Sequence, residues 1–179
     1  MRADALRNQA RILQAAQEQI TETGSDVSMD AIAKAAGVAV GTLYRHYPTK
    51  TDLVSAVLSE FSSRLVESVV EAGEALSAPG DALAGIVELL TTFVHEAATN
   101  QAIKEAARVL DASYMTPALE ARGQAAVQVL VDAAIADGDL RPDITADDIL
   151  ILMLSAPGDL PKPARDRWLE LVLAGMRSS

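Results

Sequence analysis

The segment "VAVGTLYRHYPTK", residues 38–50, carries the densest chemistry in the chain. Thr42, Tyr44, Arg45, His46, Tyr47 and Lys50 bring hydroxyls, rings, an imidazole and positive charge into nine consecutive positions. On a helical wheel at about 100° per residue, with Leu43 turned inward, Gly41 and Arg45 point away from the core. Thr42 and Tyr44 flank them, and Val40 and His46 lie at the edge. Tyr47 falls near the Leu43 side and reads as core. The outward face is small at one point, hydroxylated on both sides and cationic at its end. Hydroxyls and an imidazole donate to phosphate oxygens, and a guanidinium donates bidentately to a guanine edge, so this face suits a DNA backbone and groove. Arg45 sits at the end of its helix, where solvation is as reasonable a reading as base contact.

The flanking residues supply the elements that must hold such a face. Leu6, Ile12, Leu13, Ala16 and Ile20 recur at helical spacing over residues 5–23, and Gly24 follows at a position suited to a left-handed cap. Ser28 reads as the N-cap of a short helix in which Ile32 faces inward. Gly37 supplies a tight turn. A second short helix covers about 39–46 and stops before Pro48. Thr49 with Asp52 resembles a capping box and opens a helix over about 49–73. Helix, glycine turn and helix within about twenty residues is the spacing of a helix-turn-helix.

Beyond "SAPGD" at 77–81 the pattern stays helical, with expected helices at about 81–98, 101–112, 116–137, 145–156 and 162–177. Thr145 with Asp148 is a second candidate capping box. The chain has 179 residues, half of them hydrophobic and only 3% aromatic, so its core is built from Ala, Leu, Val and Ile. This composition favours an all-α fold of about nine helices. The expected division is a three-helix head over 1–48 and a helical-bundle body over 49–179. There is no cysteine, which excludes disulfides and thiolate metal sites. No leader-like start and no apolar run of about 18 residues is present, so a cytoplasmic protein with no membrane partner is expected.

The net charge of −10 argues at first against a polyanionic partner, yet the distribution reverses that. Residues 1–50 carry six basic and five acidic side chains, leaving nine basic and twenty acidic ones in the remainder. A near-neutral head on an acidic body suggests two tasks on one chain.

"AIAKAAGVAVGTLYRHYPTKTDLVSAVL", with the helix before it, resembles the DNA-binding head of the TetR (tetracycline-repressor-like) family of bacterial transcriptional repressors over about residues 8–58. The linked elements are A-x-x-A-G-V, G-T-L-Y-x-H-Y and K-x-x-L. The resemblance implies phosphate or base contact by Thr42, Tyr44, His46 and Lys50, with Ser28 supporting a phosphate from the preceding helix. Val40, Gly41 and Arg45 fall at positions that vary in the family and tune sequence choice. It further implies an all-helical homodimer that binds a palindromic operator and is released by a small-molecule effector held in the body. The alternative is a DNA-binding regulator or partner-binding protein with no small-molecule sensing.

In the body, no H-E-x-x-H, G-x-S-x-G, P-loop or paired-carboxylate pattern is visible, so an enzyme is not expected and no cofactor is implied. His95 reads as solvated or locally bonded. Asp143, Asp147 and Asp148 cluster at a helix start, where cap and dipole roles explain them better than a metal. Phe61, Phe93, Tyr114, Met115 and Met153 are the unusual side chains that a ligand pocket would use, though core packing explains each singly. The few basic residues there favour a neutral or cationic lipophile over an anion. "DDILILMLSAPG" is apolar nearly all round and so requires covering on more than one side. Ile149, Leu152 and Met153 with Trp168, Leu169, Val172, Leu173 and Met176 are the expected dimer interface, two helices from each subunit.

Overall fold

The computed structural model describes residues 2–99, 101–113 and 115–178. The elements are α1 (Arg2–Thr23), α2 (Met29–Ala36), α3 (Val40–His46), α4 (Lys50–Glu74), α5 (Asp81–Thr99), α6 (Gln101–Val109), α7 (Pro117–Ala136), α8 (Ala146–Leu154) and α9 (Lys162–Met176), with a 3₁₀ turn at Gly24–Asp26. Among the described residues there is no strand, only an isolated antiparallel bridge between Leu140 and Arg177. The all-helical expectation is met.

α2, α4, α7 and α8 begin where side chains satisfy free N–H groups. Ser28 Oγ accepts from the Ala31 N–H at 3.1 Å, and Thr116 Oγ1 from the Leu119 N–H at 3.2 Å. Both expected capping boxes form. Asp52 accepts from the Thr49 N–H at 2.9 Å while Thr49 accepts from the Asp52 N–H at 3.0 Å. Thr145 and Asp148 exchange the same pair of bonds at 2.8 and 3.2 Å. Two helices end sooner than their apolar pattern suggests. α6 stops at Val109 because Asp111 turns left-handed at φ 50°, a conformation that aspartate tolerates. α8 stops at Leu154, short of the residue-156 end expected before Pro157.

The chain forms two compact units, Met1–Ser62 with Thr99–Tyr114, and Ser63–Ala98 with Met115–Ser179. The first therefore extends past the expected 1–48 head and takes in the start of α4 and all of α6. Its core explains why. Ile12, Ala16 and Ile20 of α1, Ile32 and Ala33 of α2, Leu43 of α3, Leu53 and Val54 of α4, and Ile103 and Ala106 of α6 share one buried cluster. In the second unit, Val69, Ile86, Leu90, Leu130, Val131, Ile149, Leu169 and Met176 form another. There, a Cβ on Gly85 would lie 3.2 Å from Leu130 Cδ1 and 3.3 Å from Ala72 Cβ, so glycine permits a close crossing of α4, α5 and α7.

Carboxylates tie the second unit together at its surface. The Ser77 and Ala78 N–H groups hold Asp81 below the usual carboxylate range, and the Arg141 guanidinium does the same for Asp143. The Thr145 hydroxyl lowers Asp148, while Lys162 and then His95 lower Asp166. A carboxylate whose folded-state pKa is depressed stabilises the fold above its unfolded pKa and loses that contribution as pH falls through the folded value. The second unit should therefore lose urea resistance between about pH 5 and pH 2. Asp148→Asn should lower the midpoint at neutral pH and flatten that decline. A variant with an unaltered pH profile would remove the assigned role.

Candidate nucleic-acid interface

The placement of α3 depends on how α2 ends. Gly37 adopts φ 63° and ψ 36°, its N–H donates to Lys34 O at 3.1 Å, and the Val38 N–H donates to Ala33 O at 3.0 Å. This paired closure is a Schellman motif, which needs a left-handed residue where glycine carries no Cβ penalty. The chain then turns through Ala39 into α3.

Of the seven residues of α3, only Leu43 is buried, and it is fully so. Val40 is 40% exposed and Tyr44 44%. Gly41 and Arg45 are exposed, while Thr42 and His46 are half-buried flanks. The face drawn from the wheel is thus the face that the fold presents. Tyr47 is buried instead, its ring centroid 6.2 Å from that of His46. Burial raises its phenol pKa, with Gln9 acting the other way.

Ser28 caps the start of α2 and Lys50 opens α4. Ser28 is exposed, and capping uses its oxygen as an acceptor, which leaves its hydroxyl hydrogen to donate. Lys50 is half-buried, and its ammonium donates to the Val27 carbonyl just ahead of the Ser28 cap. At the start of α4 the Thr49 N–H is taken by the Asp52 carboxylate. Sequence reasoning missed Arg11 of α1, whose Nη2 donates to Gly37 O at 3.2 Å. No local motif signals a contact across 26 residues.

The expected pocket residues are divided between the two units. Phe61 is buried in the first unit. Phe93 and Met153 are half-buried in the second, where Met153 packs against the core. Met115 is exposed, and Tyr114 lies outside the described residues. An open cleft of about 310 Å³ lies elsewhere in the second unit, lined by Leu76, Ser77, Pro79, Ala82, Ala133 and Asp137 among others. His95 is locally bonded, its Nε2 lying 3.0 Å from Asp166 Oδ1 of α9. Among the described residues, no group of three or more His, Asp or Glu side chains is placed to hold a metal ion.

Three of the residues expected at a dimer interface turn inward instead. Ile149, Leu169 and Met176 are buried within the single chain, and Leu152, Met153, Trp168, Val172 and Leu173 pack partly against its core. On α8 and α9 the large apolar side chains left outside are Ile151 at 60% exposure, Leu154 at 87% and Leu171 at 57%. Because α8 is apolar nearly all round, its pattern does not say which side faces inward.

Comparison with known proteins agrees with this geometry. Residues 12–57 match the family described as bacterial regulatory proteins, tetR family, and residues 78–178 match the SbtR-like transcriptional regulator C-terminal domain. The crystal structure of a TetR transcription regulatory protein from Mycobacterium vanbaalenii is similar over 98% of both chains, at 31% identity and TM-score 0.77. The chain belongs to the TetR family. A TetR regulator from Streptomyces coelicolor is similar over 96% of this chain and 99% of its own, at 30% identity and TM-score 0.72. An HTH-type transcriptional regulator of Staphylococcus aureus is 44% identical over 59 residues, which span 32% of either chain. The chain is therefore a TetR-family transcriptional regulator with a helix-turn-helix DNA-binding domain. Among the described residues, no single helix is long and apolar enough to cross a membrane.

Gly41 stands apart in this TetR-family head. A Cβ there would meet nothing within 4 Å, so packing does not require glycine. Glycine inside a helix costs about 0.5–1 kcal/mol relative to alanine. Gly41→Ala should accordingly raise the stability of the head by about that amount in denaturant unfolding. A loss of stability would mean that the fold itself requires the glycine.

Proposed function

We propose that this regulator is a ligand-responsive repressor that binds a palindromic operator as a homodimer. Thr42, Tyr44, His46, Lys50 and Ser28 hold phosphates, while Val40, Gly41 and Arg45 meet base edges. The observation that carries the DNA reading is α3 itself, a helix that buries one residue of seven and leaves Val40 and Tyr44 in solvent. An exposed aliphatic side chain beside a Cβ-free position is suited to a thymine methyl group, and Arg45 to guanine. The TetR-family match supports the same assignment.

Fluorescence anisotropy on the duplex immediately upstream of the gene tests this reading. Binding should weaken steeply with salt, by a log–log slope of about −0.9 per phosphate neutralised. Tyr44→Ala should weaken it by about ten- to a hundredfold, as expected for one lost anchor at about 1.4 kcal/mol per decade. Gly41→Ala should weaken it too, despite the more stable head. Equal affinities for wild type and Tyr44→Ala would contradict the assigned face.

A second copy would cover the exposed apolar residues of α8 and α9. Ile151, Leu154 and Leu171 are poorly suited to water, and a twofold interface would place them against one another. Sedimentation at micromolar concentration should show a dimer, and Leu154→Glu should shift it to monomer without unfolding, since Leu154 packs so little within its own chain. A dimer that survives Leu154→Glu and Ile151→Glu together would move the interface elsewhere.

The second unit also favours an alternative, a DNA-binding regulator with no small-molecule sensing. Glycine lets its helices cross closely at Gly85, with Leu130 and Ala72 filling the space beside it. Thermal shift of the operator-competent dimer against neutral and cationic lipophiles separates the two readings. A ligand that raises Tm and releases the duplex supports sensing.

A further inference from the structure

We propose that Arg11 is a positioning residue for the recognition helix, an inference that rests on the DNA-binding reading of α3. Arg11 is exposed, but its neighbour Ile12 is fully buried in the head core, so the side chain starts from a fixed point on α1. Its Nη2 reaches Gly37 O at 3.2 Å, across the turn that separates α2 from α3. No backbone N–H among the described residues takes that carbonyl outside the helices, so the guanidinium supplies its donor. The fit is close. A Cβ at Gly37 would fall onto Arg11 Nη2, with Cζ 3.6 Å away.

A bond from a cation is stronger than one between neutral groups, and Arg combines length with a planar fork of donors. Gly37 lies two residues before Ala39, the N-cap of α3, so a tether on its carbonyl sets where the recognition helix begins relative to α1. The other end of α2 is held in a matching way, by the Lys50 ammonium on Val27 O. Two cations from α1 and α4 thus grip the carbonyls that bound α2.

Positioning and phosphate contact leave different marks. Phosphate contacts supply non-specific affinity and the salt slope, whereas register governs the specific contacts. Arg11→Ala and Arg11→Gln are each compared with wild type on a selected operator and on a scrambled duplex over a range of salt, with circular dichroism checking the fold. The expected result is a roughly tenfold loss on the operator, equivalent to one lost charge-assisted bond, with the salt slope and scrambled-duplex affinity unchanged. Equal losses on both duplexes with a shallower slope would make Arg11 a phosphate contact and overturn the proposal. Full operator affinity in both variants would overturn it as well. If the wild-type chain prefers no duplex, the DNA reading itself falls and takes the proposal with it.

Discussion

A seven-residue helix does not persist in water, because nucleation is unfavourable and isolated helices are marginal below about 12–15 residues. α3 therefore exists by virtue of Leu43, which is fully buried in a cluster with Ile12, Ile32 and Leu53. Burying one leucine contributes about 1.5–3 kcal/mol, enough to hold a short helix only if its entry is fixed as well. The left-handed Gly37 and its two closing hydrogen bonds fix that entry. With one side chain inward and the turn set, Val40, Gly41, Tyr44 and Arg45 are released from packing and stand exposed.

That arrangement also explains why the head extends beyond the three helices nearest the turn. α1, α2 and α3 bury too little alone, and the cluster is completed by Leu53, Val54, Val57 and Leu58 from α4 and by Ile103, Ala106 and Ala107 from α6. The helix-turn-helix is thus built into elements that lie far along the chain. Charge follows the same division of labour. Beyond residue 50 the acidic excess is eleven, which disfavours loose association with nucleic acid.

Much of the site was legible because its signals are local. The α3 face follows from a period of 3.6 around a single leucine, and Ser28, Thr49–Asp52 and Thr145–Asp148 announce helix starts by side chains that reach only three residues. What was not legible depends on contacts between distant segments. Arg11 and Gly37 are 26 residues apart, Lys50 and Val27 are 23 apart, and nothing nearby in sequence marks either pair. The same limit applies to α6 in the head core. The inward side of α8 was not legible for another reason, since Ile149 and Ile151 are chemically identical, yet one is core and the other faces out.

Selection of random duplexes by the purified chain, run beside a Val40→Gln variant, tests the central claim that the outward face of α3 reads DNA. The account predicts inverted half-sites with centres about 10 bp apart or a multiple of that, and a changed base at one symmetric position in the variant. No enriched sequence for the wild-type chain, or an identical one for both chains, would contradict it.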